Sequence, residues 1–226
     1  MTGILALVGS GEFTKSQDEV DTFLLSQLGD PHVAILPTAA GLEHDVHKWI
    51  DDGVAHFDKL GVKAEGIELY NHEDANDPSV IKKLHNYNFF YFSGGDPGHL
   101  LHSLQGSKAW EVIVKSHKDG TILAGSSAGA MVLGKKVWAD VYRFDKKKEL
   151  LPWVPGLDLV PFGVMPHYDA IPKYFSKKDL DSMYANMPED IEIIGIDEDT
   201  AYINTEGLWK VMGKGNMHKD IRKSLL

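Results

Sequence analysis

Short apolar runs alternate with longer amphipathic stretches through the first half of the chain, and this alternation constrains the fold more than any other feature. Four runs are rich in β-branched or aromatic residues and lack polar alternation, as strands buried on both faces do. Amphipathic stretches at 17–28 and 43–60 lie between them, and Gly61 ends the second. The pattern predicts parallel strands joined by crossover helices. The four predicted strands are Ile4–Val8, Val33–Leu36, Phe89–Phe92 and Ile122–Ala124.

The second half is less regular. Residues 135–161 contain three prolines and a run of three lysines, so we expect loops and short extended pieces there, with an antiparallel edge among them. We therefore predict one α/β domain over residues 1–226, a three-layer sandwich with a mostly parallel central sheet and helices on both faces. The remaining predicted elements are strands at 64–69, 162–165, 191–196, 201–203 and 208–212 and a helix at 177–186.

Composition excludes several classes of protein. The 226 residues include no cysteine, so a disulfide framework, a thiolate zinc site and a cysteine nucleophile are all absent. The formal charge of −10 repels a phosphate backbone, so nucleic acid is not an expected partner. No apolar run reaches the roughly 18–20 residues that span a membrane, and Ile4–Val8 has no basic flank. We expect a soluble cytoplasmic protein that does not bind membranes.

The most informative motif is Gly-x-Ser-x-Gly at Gly125, Ser127 and Gly129, between an apolar strand and an apolar helix start. In that context the motif is typical of a nucleophile elbow, whose serine needs small residues two positions away on each side. The turn presents the Ser127 hydroxyl at a helix N-terminus, where the Ala128 N–H can stabilise an oxyanion. The alternative is a Gly/Ala/Ser-rich helix start packed under the sheet.

A serine nucleophile needs a base and a group that orients the base. His167 is the best placed of the eleven histidines, because it follows a predicted strand and would reach the sheet edge that carries Ser127. Three adjacent acids, Asp197, Glu198 and Asp199, end another predicted strand. Spacing does not choose among the three, and a solvated acidic turn or a cation site would have the same pattern.

A second turn follows the strand at Phe89–Phe92. Its glycines, Gly94 and Gly95, let backbone N–H groups face a ligand, so Gly95 or Asp96 is a candidate second oxyanion donor. Asp96 followed by Pro97 is also the pattern of a helix cap, which is compatible with that role. The Gly9–Gly11 turn lacks the third glycine of a dinucleotide fingerprint, so we interpret it as an ordinary turn.

These motifs together resemble the dipeptidase E and cyanophycinase group of serine peptidases, peptidase family S51. The resemblance rests on Gly125–Ala130, Ser93–Asp96, Pro166–Tyr168 and Gly195–Ala201, and implies the class I glutamine amidotransferase-like, flavodoxin-like fold. It implies that Ser127 is the nucleophile, His167 the base and Glu198 the acid of the triad. Asp140 is the nearest match to an aspartate implicated after the elbow in dipeptidase E-like enzymes.

The chain departs from that group where substrates are selected. Dipeptidase E-like enzymes bind an N-terminal aspartate through an arginine after the catalytic histidine, whereas here no arginine lies between His167 and Arg222. Residues 135–178 nevertheless carry nine Lys and Arg against five Asp and Glu. We therefore hypothesise that an acidic or carboxylate-bearing peptide binds near Arg143 and Lys173.

The sequence thus predicts a serine hydrolase that cleaves small peptides through an acyl-enzyme intermediate, with no metal or organic cofactor implied. Two alternatives remain. An α/β-hydrolase esterase would use Ser127 with Asp197 and His218, in the order serine, acid, histidine. A non-catalytic ligand-binding protein on the same scaffold would not need the Ser127 hydroxyl.

Overall fold

The structure is a computed structural model, which describes residues 3–139 and 153–222, without the side chain of Tyr174. None of the helices formed by these residues has the length and apolar character that a membrane span requires. The strands are β1 (Leu5–Val8), β2 (Val33–Leu36), β3 (Ala64–Gly66), β4 (Phe89–Phe92), β5 (Ile122–Ser126), β6 (Lys136–Val137), β7 (Val154–Pro155), β8 (Gly163–Met165), β9 (Ile193–Ile196), β10 (Thr200–Thr205), β11 (Leu208–Gly213) and β12 (Met217–His218). The helices are α1 (Asp18–Leu25), α2 (Val46–Lys59), α3 (Pro78–Leu84), α4 (Pro97–Leu104), α5 (Lys108–Lys118), α6 (Ala128–Val132), α7 (Ile171–Tyr174) and α8 (Lys177–Ala185).

The main sheet has seven strands in the order β11-β10-β1-β5-β4-β2-β3. The five strands from β1 to β3 in that order are parallel, and β10 and β11 add an antiparallel edge beside β1. This arrangement confirms the predicted α/β fold class with a mostly parallel sheet. The four strands predicted from apolar runs form its centre, because each is buried on both faces.

Two hydrophobic cores cover the two faces of the main sheet. Successive residues of a strand alternate between them, so Phe90 and Phe92 lie in one core and Phe89 and Tyr91 in the other. Helices α1 and α2 contribute to the second of these cores, and helices α3 to α6 contribute to the first. The predicted three-layer sandwich is therefore confirmed, although α3 and α5 were not among the predicted helices.

The strand partners in the second half differ from the prediction. Strands β8 and β9 pair in parallel and, with antiparallel β12, form a separate three-stranded sheet. The apolar residues of β8 and β9 pack into the same core as α6, so this small sheet lies against the face of the main sheet that α6 covers. His167 therefore approaches Ser127 from a second sheet rather than from a neighbouring strand. Strands β6 and β7 form the short antiparallel pair expected within 135–161.

Candidate active site

Ser127 lies on a strained turn between β5 and α6. Its backbone has φ 50° and ψ −112°, in a region that residues with a side chain rarely adopt. A methyl group on Gly125 would lie 2.5 Å from the carbonyl carbon of Gly129, and one on Gly129 would lie 2.7 Å from the carbonyl oxygen of Phe92. The two glycines of the motif are therefore required for the close approach of strand and helix.

Gly125→Ala is expected to lower the free energy of unfolding by about 1–3 kcal/mol, the range typical of an overpacked core. The added methyl group has no free space, because it meets backbone atoms of α6. Urea unfolding checks this value. Gly29→Ala is the matched control: a methyl group there meets nothing within 4 Å, and its unfolding free energy should stay within about 0.5 kcal/mol of the wild type. Equal losses in the two variants would contradict the steric explanation.

Two hydrogen bonds connect Ser127 to an acid. Ser127 Oγ lies 2.9 Å from His167 Nε2, and His167 Nδ1 lies 2.8 Å from Glu198 Oε1. The side chains of His167 and Glu198 are 35% and 33% exposed, so solvent and a small ligand can reach them. The arrangement can move a proton from the serine hydroxyl to an imidazole whose other nitrogen is held by a carboxylate.

The ends of β8 and β9 hold this histidine and this acid in register. His167 has φ 52°, a strained conformation, and the Tyr168 N–H donates to the Ile196 carbonyl across the two strands at 3.1 Å. The Glu198 N–H donates to the Asp169 carboxylate at 2.8 Å. These two hydrogen bonds between the segments after β8 and β9 therefore restrict the distance between the imidazole and the carboxylate.

The structure separates the three adjacent acids. Asp197 accepts from Asn216 N–H and contacts His218 Nε2, both at 2.8 Å. Asp199 accepts hydrogen bonds from Ser16 at 2.6 Å and Lys214 at 3.0 Å, and the Ser16 hydroxyl is the main cause of its lowered pKa. Only Glu198, of the three acids, contacts His167. The pair Asp197 and His218 is thus formed, but the Ser127 hydroxyl bonds to His167.

Two backbone N–H groups are candidate oxyanion donors, one next to Ser127 in the chain and one next to Gly94, where a built methyl group would lie 3.4 Å from Ser127 Cβ. Gly95 has φ 136° and follows β4, and Ala128 is the first residue of α6. Within the described chain neither N–H donates to a backbone or side-chain acceptor, so both remain available for a substrate oxygen. Asp96 has a different role, because its carboxylate caps α4 by accepting from Gly98 N–H at 2.8 Å and its own N–H donates to the Ala39 carbonyl.

Of the three remaining predicted site residues, the structure describes one. Asp140 and Arg143 lie outside the described residues. Lys173 is exposed on α7. Tyr168 and Asp169 line a cleft of about 430 Å³ together with residues of α7 and α8, next to the loop that carries His167.

Sequence reasoning missed Glu12. Its carboxylate accepts hydrogen bonds from Gly94 N–H at 2.7 Å, in the turn after β4, and from the Ser126 hydroxyl at 2.6 Å, next to Ser127 in the chain. The signal that points to it is positional: Glu12 follows β1, which neighbours β5, and loops after parallel strands meet at one edge of the sheet. A lone glutamate in a glycine-rich turn otherwise has the pattern of a solvated surface residue.

Comparison with known proteins places the chain among peptidases. Residues 5–210 match the family model for peptidase family S51. An uncharacterized peptidase of Listeria innocua is 31% identical over 149 residues, 65% of this chain and 69% of the relative. An uncharacterized peptidase of Listeria monocytogenes is 28% identical over 149 residues, 65% of this chain and 70% of the relative.

Solved structures agree with this assignment. A crystal structure of a peptidase from an acI-B1 Actinobacterium superposes with a TM-score of 0.85 at 30% identity, over 97% of this chain and 91% of that one. A putative peptidase E protein of Listeria monocytogenes has the same fold, with a TM-score of 0.70 at 23% identity over 95% of this chain and all of that one. Because the family model covers nearly the whole chain, this protein belongs to peptidase family S51.

Proposed function

We propose that this peptidase is a serine enzyme that hydrolyses short peptides with a triad of Ser127, His167 and Glu198. The observation that carries the proposal is the pair of hydrogen bonds from Ser127 Oγ to His167 Nε2 and from His167 Nδ1 to Glu198 Oε1. Its geometry meets the requirement for a serine activated by an oriented imidazole. The strained backbone at Ser127 and His167 adds support, since strain of this kind concentrates at functional sites.

The chemistry follows from these positions. Ser127 Oγ attacks the scissile carbonyl carbon while His167 Nε2 takes the hydroxyl proton, and Glu198 stabilises the imidazolium through Nδ1. The Gly95 and Ala128 N–H groups stabilise the negative oxygen of the tetrahedral intermediate. His167 then gives its proton to the leaving amine, and an acyl group remains on Ser127. Water, deprotonated by His167, hydrolyses this ester and restores the serine.

Short peptides are the proposed substrates because the motifs resemble those of dipeptidase E-like enzymes, and this resemblance favours an exopeptidase or dipeptidase activity. The cleft of about 430 Å³ next to the loop that carries His167 is lined by Tyr168, Asp197 and His218, among others, and not by Ser127, His167 or Glu198, so it does not define the substrate site. Binding of acidic peptides near Arg143 and Lys173 belongs to the same proposal.

The test is release of free amino acids from a panel of dipeptides and tripeptides, including peptides with N-terminal aspartate, together with labelling by a serine-directed phosphonate. We expect release from a few peptides and a single phosphonate adduct on Ser127, located by mass spectrometry of the digested protein. A protein that hydrolyses no peptide and takes no phosphonate on Ser127 would favour the ligand-binding alternative. Labelling of Ser127 with hydrolysis of esters alone would favour the esterase.

A further inference from the structure

The Glu12 carboxylate lies between the two turns that form the candidate active site. One oxygen accepts the Gly94 N–H and the other accepts the Ser126 hydroxyl. Gly94 precedes the proposed oxyanion donor Gly95, and Ser126 precedes the proposed nucleophile Ser127. Each carboxylate oxygen can accept a further hydrogen bond, so these two bonds leave acceptor capacity at the site.

This carboxylate has no cationic partner in the described part of the chain. Its two hydrogen-bond donors are neutral, and none of the ion pairs found there includes Glu12. A half-buried negative charge near a developing oxyanion opposes the reaction unless a positive charge compensates it. A cation that arrives with the substrate would therefore compensate the charge of Glu12.

The distances around Gly94 place such a cation next to the scissile carbonyl. A methyl group built on Gly94 would lie 2.8 Å from Glu12 Oε1 and 3.4 Å from Ser127 Cβ, so the carboxylate and the nucleophile border the same point. In a peptide whose first residue carries the scissile carbonyl, the amino nitrogen is only about 2.5 Å from the carbonyl carbon, two bonds away. A carbonyl in reach of Ser127 therefore brings its own ammonium group close to Glu12.

The loop that presents Glu12 is held under strain. Phe13 has φ 62°, which is rare for a bulky residue, and its ring packs against Tyr91 at 5.0 Å and Phe57 at 6.5 Å between ring centres. Both partners are fully buried in the core behind β4. Burial of the Phe13 ring against these residues thus offsets the backbone strain and fixes the position of the preceding glutamate.

From these contacts we infer that Glu12 binds the α-ammonium group of the substrate, so that the enzyme cleaves the bond after a free N-terminal residue. The inference rests on the proposed serine peptidase function, because it requires the scissile carbonyl to lie at Ser127. It predicts that peptides with a blocked or missing amino group are poor substrates, whatever side chain their first residue carries.

A pair of boronic acids tests the inference without any need for turnover. The boron atom accepts a bond from Ser127 Oγ, the hydroxyl proton passes to His167, and the adduct imitates the tetrahedral intermediate. We compare 1-amino-3-methylbutylboronic acid with 3-methylbutylboronic acid, which lacks only the amino group, and the corresponding alanine-like and aspartate-like pairs. Calorimetry measures binding of each to the wild type, Glu12→Gln and Glu19→Gln, where Glu19 is an exposed glutamate on α1.

We expect the wild type to bind the amino compound about ten- to a hundredfold more tightly, as for a hydrogen bond to a charged group. Glu12→Gln should bind both compounds with similar affinity, and Glu19→Gln should keep the preference. Equal binding of the pair by the wild type would overturn the inference and leave the nucleophile intact. An equal loss of both compounds in Glu12→Gln would assign Glu12 to positioning alone. Failure of every boronic acid to bind the wild type would overturn the proposed function and the inference together.

Discussion

Ser127→Ala and His167→Ala are each expected to lower kcat on the best peptide of the panel by about a millionfold, and the double variant by no more than either single variant. The reason is that the two side chains act as one unit: Ser127 Oγ attacks only as its proton moves to His167 Nε2, 2.9 Å away. Once one partner is missing, the other has no function to lose. Single-turnover rates of peptide hydrolysis measure the three variants, with circular dichroism to verify folding.

His218→Ala is the matched control for His167. Both imidazoles contact a carboxylate at 2.8 Å, but only His167 contacts Ser127. His218→Ala leaves Asp197 its hydrogen bond from the Asn216 N–H and leaves the contacts among Ser127, His167 and Glu198 in place, so we expect kcat to change less than about fivefold. The reverse result, with activity lost in His218→Ala and kept in His167→Ala, would require the serine, acid, histidine order of an α/β-hydrolase.

The sequence predicts the centre of the fold well because that region is buried on both sides. The runs at Val33–Leu36 and Phe89–Phe92 are apolar throughout, since helices cover both faces of the main sheet. The strand with which a given strand pairs is harder to predict from the sequence. Phe162–Met165 has the composition of a strand in any sheet, and only tertiary packing places β8 beside β9 rather than in the main sheet.

Some residues of the candidate site can likewise be recognised from the sequence, and others only from the structure. Ser127 and its glycines are recognisable locally because the motif occupies five consecutive residues, although the atoms that Gly129 approaches belong to Phe92 in β4. The choice of Glu198 over Asp197 is not local, because it depends on Asp197 turning toward His218 and on the bond from Glu198 N–H to Asp169. Glu12 can be identified only from the structure, since its hydrogen-bond partners are 82 and 114 residues away along the chain.

Glu198→Gln is expected to lower kcat by about ten thousandfold, with a much smaller change in KM. Glutamine fills the same space, but its amide can donate to His167 Nδ1 and so favour the tautomer that carries its proton on Nε2. That tautomer cannot accept the Ser127 proton. The backbone bond from residue 198 to Asp169 is kept, so the loop should stay in place. Steady-state kinetics on the best peptide checks the size of the loss.

Asp199→Asn separates this effect from a general loss of negative charge on the same loop. Asp199 is the next residue, but its carboxylate contacts Ser16 and Lys214 rather than the imidazole. Its side chain is 33% exposed, and such ion pairs contribute at most about 1 kcal/mol, so kcat should change less than about fivefold. If Glu198→Gln and Asp199→Asn lost activity equally, the loop would act through its total charge, and the proposal that Glu198 orients the His167 tautomer would be wrong. A loss confined to Glu198→Gln makes the contact at Nδ1 the reason that this acid, among three neighbours, supports the reaction.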